Sequence, residues 1–423
     1  EIMPSLVGSE MCIRDSFIPI CLETLLYMLS GMVDTLMLSS VNDQAVGAVG
    51  TANTYIGIFI IMFSVISSGM VAVMTQNIGA GRPGVAYQAR QLGLAFNAVL
   101  GVIMSLFLSL GAGTILSGVG VADALMQPAK TYLQIVGGFC ILNALIPICS
   151  SYLRAFGFSK EPLYASIIGN VINFCLNAFF LFVLHKGVAG VATATVISRI
   201  INLVIVVLLG AVLVKAKQHP ERESNRAVMG QIIRIGLPSA CETAIYNVSM
   251  TLVIRFLNQM DAQGLNVTAR SYTMQITNFS YCVGAALAQA NAIMTGWHIG
   301  AKEYDACDRG TKKAAVIGVI VAVILETVFT LCSGWIMQLF SKDPQMVSLV
   351  GKLLAIDIVL EIGRVTNLVY GQALKTSGDA VFPVVMGACF MILCSVGGTY
   401  LFGIRLGLLA VGAYIGMTGD ECV

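Results

Sequence analysis

The sequence predicts an all-α integral membrane protein with twelve transmembrane helices arranged in two pseudo-symmetric six-helix bundles. Hydrophobic residues make up 57% and charged residues 11% of the 423-residue chain, whereas soluble domains carry about 25% charged residues. Apolar runs long enough to cross a membrane, which takes roughly 20 helical residues, recur along nearly the whole chain. The second half also repeats residues of the first half at a nearly constant spacing. This composition leaves no room for a sizeable soluble domain, and the net charge of +2 gives no support to nucleic-acid binding.

The first sixteen residues are set apart from this fold. Residues 11–16 read MCIRDS, the peptide that a transposon-end adapter common in sequencing libraries encodes when it is read in frame. We therefore expect residues 1–16 to be a non-native sequencing artefact, the alternative being a short native N-terminal segment.

Twelve apolar segments follow, and one polar segment divides them. The predicted spans cover residues 17–40, 46–78, 88–115, 124–153, 161–184, 188–214, 229–257, 264–297, 312–338, 345–374, 380–402 and 404–419. The polar segment 215–228 is the predicted linker between a first lobe, 17–214, and a second lobe, 229–423. The last span is short and has no basic flank, so we expect the last helix to be truncated.

The repeat relates the two lobes residue by residue. Its matched pairs include Pro19 and Pro238, Glu23 and Glu242, Tyr27 and Tyr246, Ser30 and Ser249, Pro128 and Pro344, and Gly157 and Gly378. Because each lobe has an even number of spans, both lobes enter the membrane from the same side, which predicts a parallel repeat. The segments that follow the even-numbered spans carry 14 of the 24 Lys and Arg residues, against 5 on the opposite side. The positive-inside rule therefore predicts that both termini are cytoplasmic.

Asp34 is the leading candidate for an ion-coupling residue. It lies inside the first span, where an ionised carboxylate is costly unless it faces a wet interior or another helix. Its repeat partner is Val253, so the fold does not require a carboxylate at this position. A buried carboxylate can exchange a proton or a sodium ion as its surroundings change; the alternative is a structural Asp paired with a neighbouring helix.

A second polar stripe lies in the fifth span. Asn170, Asn173 and Asn177 share one helical face and can supply oxygen ligands to a small ion, hydrogen bonds to Asp34, or ordinary contacts between helices. Thr195 in the sixth span is a weaker candidate of the same kind.

Four residues of the repeated first span are candidates for a substrate cavity. Glu23 and Glu242 are symmetric, and we expect them to line a cavity that attracts cations or to form hydrogen bonds between helices. Tyr27 and Tyr246 follow one turn later and offer aromatic faces to a cation or simply pack.

The tenth span carries the triad Asp357, Glu361 and Arg364 at helical spacing. Glu361 and Arg364, three residues apart, can pair within one helix, either as a gating pair or as a static ion pair. No specific role is assigned to the remaining intramembrane charges, for which snorkelling or pairing is the first explanation; these are Arg199, Arg255, Arg270 and Glu326.

Enzymatic and metal-binding chemistry find no support in the sequence. The twelve Cys are scattered through apolar runs without a CxxC pair, and the three His lie far apart, so neither residue type predicts a metal site. No nucleophile elbow, phosphate loop or HExxH motif is present. We predict a protein that is not an enzyme and has no cofactor.

The sequence resembles the multidrug and toxic compound extrusion (MATE) family. The resemblance covers residues 17–423 and is carried by P-x3-E-x10-D at residues 19–34, IGA at 78–80 and 299–301, LRAFG at 153–157, GVAGVATATVISR at 187–199, GLP at 236–238, E-x2-R-x2-N at 361–367 and LKTSGD at 374–379. It implies two six-helix lobes around a central cavity and the export of cationic or amphipathic compounds in exchange for sodium ions or protons.

The resemblance also implies roles for single residues. Asp34 matches the coupling aspartate of the family, Asn173 an asparagine of its ion site, and Thr195 a threonine of that site. At Asn177 many prokaryotic members carry a second Asp, so this chain departs from their pattern. With one carboxylate, proton coupling is at least as well supported as a sodium ion at Asp34.

The predicted function is therefore secondary antiport in the plasma membrane of a prokaryote. We expect a monomer that works with small organic substrates, surrounded by membrane lipid. The alternatives are a lipid-linked precursor or polysaccharide flippase of the same superfamily, which calls for a strongly basic cavity, and an intramembrane protease, which needs paired Glu and His inside the spans.

Overall fold

A computed structural model describes residues 11–39, 43–118, 123–215, 219–260, 264–338 and 343–422. Over these ranges the backbone forms α-helices and short connections, with no strand, and π-helical stretches at Leu133–Gly137, Phe179–Val183, Met391–Val396 and Thr399–Arg405. The helices are α1 Met11–Ser39, α2 Asp43–Gly79, α3 Pro83–Gly118, α4 Asp123–Tyr132, α5 Ile141–Ala155, α6 Lys160–Ala178, α7 Gly187–Leu213, α8 Asn225–Met260, α9 Leu265–Gly300, α10 Tyr304–Leu331, α11 Ser333–Met337, α12 Pro344–Ser377, α13 Val381–Phe390 and α14 Leu409–Glu421. Residues 1–10, within the predicted artefact, lie outside the described residues, whereas 11–16 form the start of α1.

Most of the long helices are apolar enough to span a membrane. Within the described residues, seven meet the length and hydropathy of a span, and the bent pair α4–α5 brings the number to eight. Three further helices, α8, α9 and α12, are 34–36 residues long and thus exceed the roughly 20 residues of a span. Their polar and charged residues include Glu242, Glu361 and Arg364, which are described below.

The fourth and ninth predicted spans are not continuous helices. The fourth contains a wider π-helical stretch, Leu133–Gly137, and its two parts meet at an angle of 43°. Gly137 and Gly138 lie at this bend, and a helix bends where glycines or π-turns interrupt its hydrogen-bond ladder. The ninth breaks at Cys332 between α10 and α11.

The turns of the two halves repeat along with the sequence. Gly157 (φ 86°) follows the fourth span and Gly378 (φ 107°) follows the tenth, both with a left-handed backbone. Gly81 (φ 75°) and Lys302 (φ 63°) occupy the equivalent turns after the second and eighth spans. The same backbone conformation at the same repeat spacing shows that the duplication extends to the local structure.

Each half has its own apolar core. In the first half it is built by α2, α3, α4, α5 and α7 around side chains such as Phe63, Leu108 and Leu133. In the second half α8, α9, α12 and α14 enclose a core around Leu257 and Leu353. Helix α14 packs closely on α12, because a Cβ at Gly363 would lie 2.3 Å from the backbone oxygen of Glu421.

The chain divides into two compact units, Glu1–Leu237 and Pro238–Val423. The division therefore falls inside α8, at Pro238, rather than in the predicted linker 215–228. The part of the linker that the structure describes is held by the start of the third span: Arg82 Nη1 pairs with Glu223 Oε1 at 2.6 Å, and Gln88 Nε2 donates to the Glu223 carbonyl at 2.7 Å. These contacts attach the linker to the first unit.

Candidate functional site

Asp34 lies at one end of a polar network that runs from α1 through α6 to α7. Asn177 Nδ2 donates to Asp34 Oδ1 at 2.6 Å and lies 3.1 Å from Asn173 Oδ1. Asn173 Nδ2 in turn donates to the Ser198 hydroxyl of α7 at 3.5 Å. Asn173 and Asn177 are buried, so the strong dipoles of their amides act on Asp34 in a weakly screened environment.

The network is amide-rich, with a single carboxylate. Of the three uses that the sequence predicts for the asparagine stripe, the geometry shows a hydrogen bond to Asp34 from Asn177. The Asn177 Oδ1 atom has no hydrogen-bond partner among the described residues. This oxygen is therefore an unused hydrogen-bond acceptor close to the Asp34 carboxylate.

Arg199 adds a positive charge that the sequence analysis left without a role. It lies on α7 within electrostatic range of Asp34 and of the buried Tyr132. A guanidinium near the carboxylate balances its charge when it is ionised and opposes the entry of a metal cation. The only sequence signal for this arrangement is that Arg199 ends the GVAGVATATVISR motif.

Thr195 and Asn170 lie beside this network and not in it. The Thr195 hydroxyl donates to the Val191 carbonyl of its own helix at 2.9 Å. Asn170 Nδ2 donates to the Leu26 carbonyl of α1 at 3.5 Å. Ser198, which sequence reasoning missed, is the α7 residue that accepts a hydrogen bond from Asn173.

A cleft of about 280 Å³ reaches the network from the surface of the first unit. It runs between α1 and α6, and its polar lining residues are Ser30, Asn170 and Asn173. The remaining lining is apolar. The cleft brings a row of hydroxyl and amide groups from the surface to Asn173, which contacts Asn177.

Glu23 and Glu242 are both ion-paired within their own half. Glu23 pairs with Arg154 at the end of α5 and accepts a hydrogen bond from Ser166 Oγ at 3.3 Å. Glu242 pairs with Lys375 at the end of α12. Arg154 and Lys375 are themselves repeat partners, so each half joins its first span to the end of its fourth span by an equivalent ion pair.

The two tyrosines of the predicted cavity lie at the surface of their units. The side chain of Tyr27 is 68% exposed and that of Tyr246 is 40% exposed. Neither belongs to a hydrophobic core among the described residues.

Glu361 and Arg364 form the ion pair that the sequence predicts for the tenth span. Arg364 Nη1 lies 2.8 Å from Glu361 Oε2, and its Nε lies 3.4 Å from Glu421 Oε1 of α14. Glu361 is fully buried and also accepts from Ser280 Oγ of α9 at 3.5 Å. Glu421 was not a predicted partner, because nothing in the sequence places α14 against α12.

Two six-span repeats, with ionisable side chains buried among apolar helices of both halves, define the chain as a multi-pass membrane transporter. The MatE family model matches residues 19–179 and again 238–401. The chain belongs to the MatE family. The predicted fold class, with its two helical bundles, is thereby confirmed.

The relatives and the related structures extend over almost the whole chain. The "Uncharacterized transporter YisQ" of Bacillus subtilis (strain 168) is 33% identical and covers 96% of this chain and 90% of its own length. The "Probable multidrug resistance protein NorM" of Thermotoga maritima is 22% identical, covering 94% of this chain and 86% of its own length. A structure described as the "outward-facing conformation of a multidrug resistance MATE family transporter of the MOP superfamily" superposes with a TM-score of 0.88 at 18% identity, covering 98% and 93% of the two chains.

Proposed function

We propose that this transporter is a proton-coupled antiporter that exports cationic or amphipathic organic compounds by alternating access. The observation that carries the proposal is the single carboxylate Asp34, bonded by Asn177 and balanced by Arg199. The Thermotoga maritima relative, named a probable multidrug resistance protein, supports the substrate class. YisQ is more similar to this chain in sequence than the Thermotoga maritima relative is, and its name states no substrate.

The chemistry of the site favours a proton over a sodium ion. Sodium is a hard cation that prefers several oxygen ligands, but here the amide nitrogen of Asn177 faces Asp34 and a guanidinium lies nearby. A proton needs one carboxylate oxygen only. Protonation removes the negative charge of Asp34 and leaves Arg199 as the local charge, so the summed charge of the two side chains changes from zero to +1.

In the proposed cycle the outward-open protein takes up a proton at Asp34, which weakens its hold on a cationic compound. The compound leaves, the lobes reorient, and the proton dissociates to the cytoplasm. The ionised site then accepts the next compound. Exchange of one proton for a monovalent cation moves no net charge, so the pH gradient drives it; exchange of one proton for an uncharged amphipathic compound moves one net charge, to which the membrane potential adds about 2.3 kcal/mol per 100 mV.

The proposed location is the plasma membrane of a prokaryote, with both termini and the linker in the cytoplasm. The distribution of Lys and Arg between the two sides supports this orientation. We expect the protein to act as a monomer.

Transport of a fluorescent organic cation into reconstituted vesicles under separately imposed gradients tests the coupling ion. A pH gradient alone should drive uptake of a fluorescent organic cation, and a sodium gradient alone should not. Transport driven by sodium at constant pH would refute proton coupling. Movement of a lipid-linked sugar with no movement of organic cations would favour the flippase.

A further inference from the structure

The exposed residues of α1 fall on two opposite sides of the helix, which differ in chemistry. At about 100° per residue, one side carries large exposed apolar side chains, at Ile18, Leu22, Leu29 and Leu36. The other side carries Tyr27, Gly31 and Thr35, which are also exposed. Lipid tails are as apolar as leucine, so a row of exposed apolar side chains along a span contacts lipid. The first side is therefore the lipid-facing side of α1.

Helix α6 has a lipid-facing side of the same kind. Its exposed apolar side chains recur at helical spacing, at Tyr164, Ile168, Val171 and Phe174. The cleft of about 280 Å³ described above lies where the lipid-facing sides of α1 and α6 meet, because Leu29 lines it from α1 and Val171 and Phe174 line it from α6. The mouth of this α1–α6 cleft therefore opens toward the lipid.

The inner wall of the cleft is formed by amides that already have partners. Asn170 donates to the Leu26 carbonyl across the two helices. Asn173, the buried residue of the lining, donates to Ser198 and accepts from Asn177. The rest of the lining is apolar apart from Ser30. The cleft thus offers mainly apolar contacts to whatever fills it.

Size and charge decide which molecule fits this cleft. None of its lining residues is charged, so an organic cation meets no counter-charge there. Its volume of about 280 Å³ also lies below the roughly 300–1,000 Å³ of pockets that enclose drug-sized ligands. An unfilled apolar cleft would lose the dispersion contacts of its walls. A single hydrocarbon chain is slim and uncharged, and the surrounding bilayer supplies it.

We propose that the α1–α6 cleft binds one acyl chain of a membrane lipid. The chain enters from the lipid-facing side and packs on Leu29, Val171 and Phe174. Asn173 at the inner wall contacts Asn177, which in turn contacts Asp34, so the bound chain closes the lipid-facing side of this polar network. Binding of the chain is independent of the coupling ion and of the exported compound proposed above.

Photo-crosslinking of the full-length protein tests this site. The protein is held in a steroid-based detergent, which has no acyl chain to compete, and is titrated with a phospholipid that carries a diazirine on one chain. Mass spectrometry of the peptides then locates the adducts. Label on the cleft residues should saturate as the probe is added, and unlabelled phospholipid should displace it. Label at Ile168, on the open lipid-facing side, should rise in proportion to the probe.

A filled cleft provides the matched comparison. Val171→Trp places a large ring in the cleft and excludes about two methylene groups of the chain, so the cleft label at sub-saturating probe should fall about tenfold. Ile168→Trp adds the same ring to the lipid-facing side of the same helix, outside the lining, and should leave the cleft label unchanged.

Three results would overturn the proposal. The first is a cleft label that rises in proportion to the probe, as at Ile168, and the second is a Val171→Trp label equal to that of the wild type. The third is a label that a fluorescent organic cation displaces and unlabelled phospholipid does not, which would make the cleft a substrate site. If Val171→Trp fails to fold, Leu29→Trp must lower the label from the α1 side, and an unchanged label in that variant counts equally against the acyl chain.

Discussion

At the scale of single residues, the two lobes differ most informatively where the repeat is broken. Asp34 has Val253 as its partner, and Val253 is fully buried in the core of the second half. The same helical position thus holds a carboxylate in one half and a packing residue in the other. Asn177 bonds the carboxylate from α6, and its hydrogen bond is the shortest of the network at 2.6 Å.

Asn177→Ala should slow proton-driven efflux by about tenfold or more. A hydrogen bond to a charged group contributes about 1.5–3 kcal/mol, and 1.36 kcal/mol corresponds to a factor of ten in rate. The matched control is Asn170→Ala on the same helix, because Asn170 bonds only a backbone carbonyl at 3.5 Å. Efflux rates in vesicles under an imposed pH gradient measure both variants. Equal rates for the two would show that the Asp34–Asn177 bond has no part in transport.

At the scale of helices, the equivalent ion pairs are the clearest product of the duplication. Glu23–Arg154 fastens α1 to the end of α5, and Glu242–Lys375 fastens α8 to the end of α12. The burial of the pairs differs: the side chains of Glu23 and Arg154 are 17% and 9% exposed, whereas Glu242 is 30% exposed. The first pair is therefore screened less by its surroundings.

A double-mutant cycle should give a larger coupling free energy for the first pair. We expect about 1–3 kcal/mol between Glu23→Gln and Arg154→Gln, since contacting residues couple in this range. For Glu242→Gln and Lys375→Gln we expect less than about 1 kcal/mol, the range of partly exposed pairs. Unfolding in mixed micelles measures both cycles. A first-pair coupling near zero, or one smaller than the second, would contradict this ranking.

At the scale of the whole molecule, the distribution of charge sets the proposed orientation. Lys and Arg gather in the segments after the even-numbered spans, including the linker with Arg222 and Arg226. An even number of spans in each half brings the linker back to the side on which the chain enters. The proposed orientation follows from the number of spans and from the positive-inside rule, and not from any contact.

Reporter fusions test this orientation. Alkaline phosphatase fused after Lys215, at the start of the linker, should be inactive, because the enzyme folds only outside the cytoplasm. Fused after His185, in the turn between α6 and α7, it should be active. A fluorescent protein at the same two positions should give the opposite pattern and serves as the control. Activity after Lys215 would place the linker outside.

The fold was predictable from the sequence because long apolar spans and a duplicated pattern are properties of the chain itself. The bend of the fourth span was not predicted, since Gly137 and Gly138 look like ordinary packing glycines in a helical pattern. The partners of the buried charges also could not be read from the sequence. Arg154, Lys375 and Glu421 lie far along the chain from the acids or bases that they pair with, and only the packing of the helices brings them together.

Most residues of the candidate site were predictable from the sequence, but the contacts between them were not. The spacing of Asn173 and Asn177 places both on the face that meets α1, and the sequence indicates Asp34 through its broken repeat. Arg199 and Ser198 were not connected to it, because their positions depend on how α7 rotates against α6. A guanidinium near Asp34 changes the chemistry of the site, and this feature came from the structure.

The most direct measurement of the central claim is proton movement during substrate efflux in Asp34→Asn. The substitution keeps the size and shape of the side chain but cannot take up a proton, so the melting temperature should stay close to that of the wild type. Vesicles with wild-type protein should release protons to the inside as an organic cation is exported, and vesicles with the variant should show neither movement. Efflux and proton flux of wild-type size in Asp34→Asn would show that this carboxylate does not couple the two.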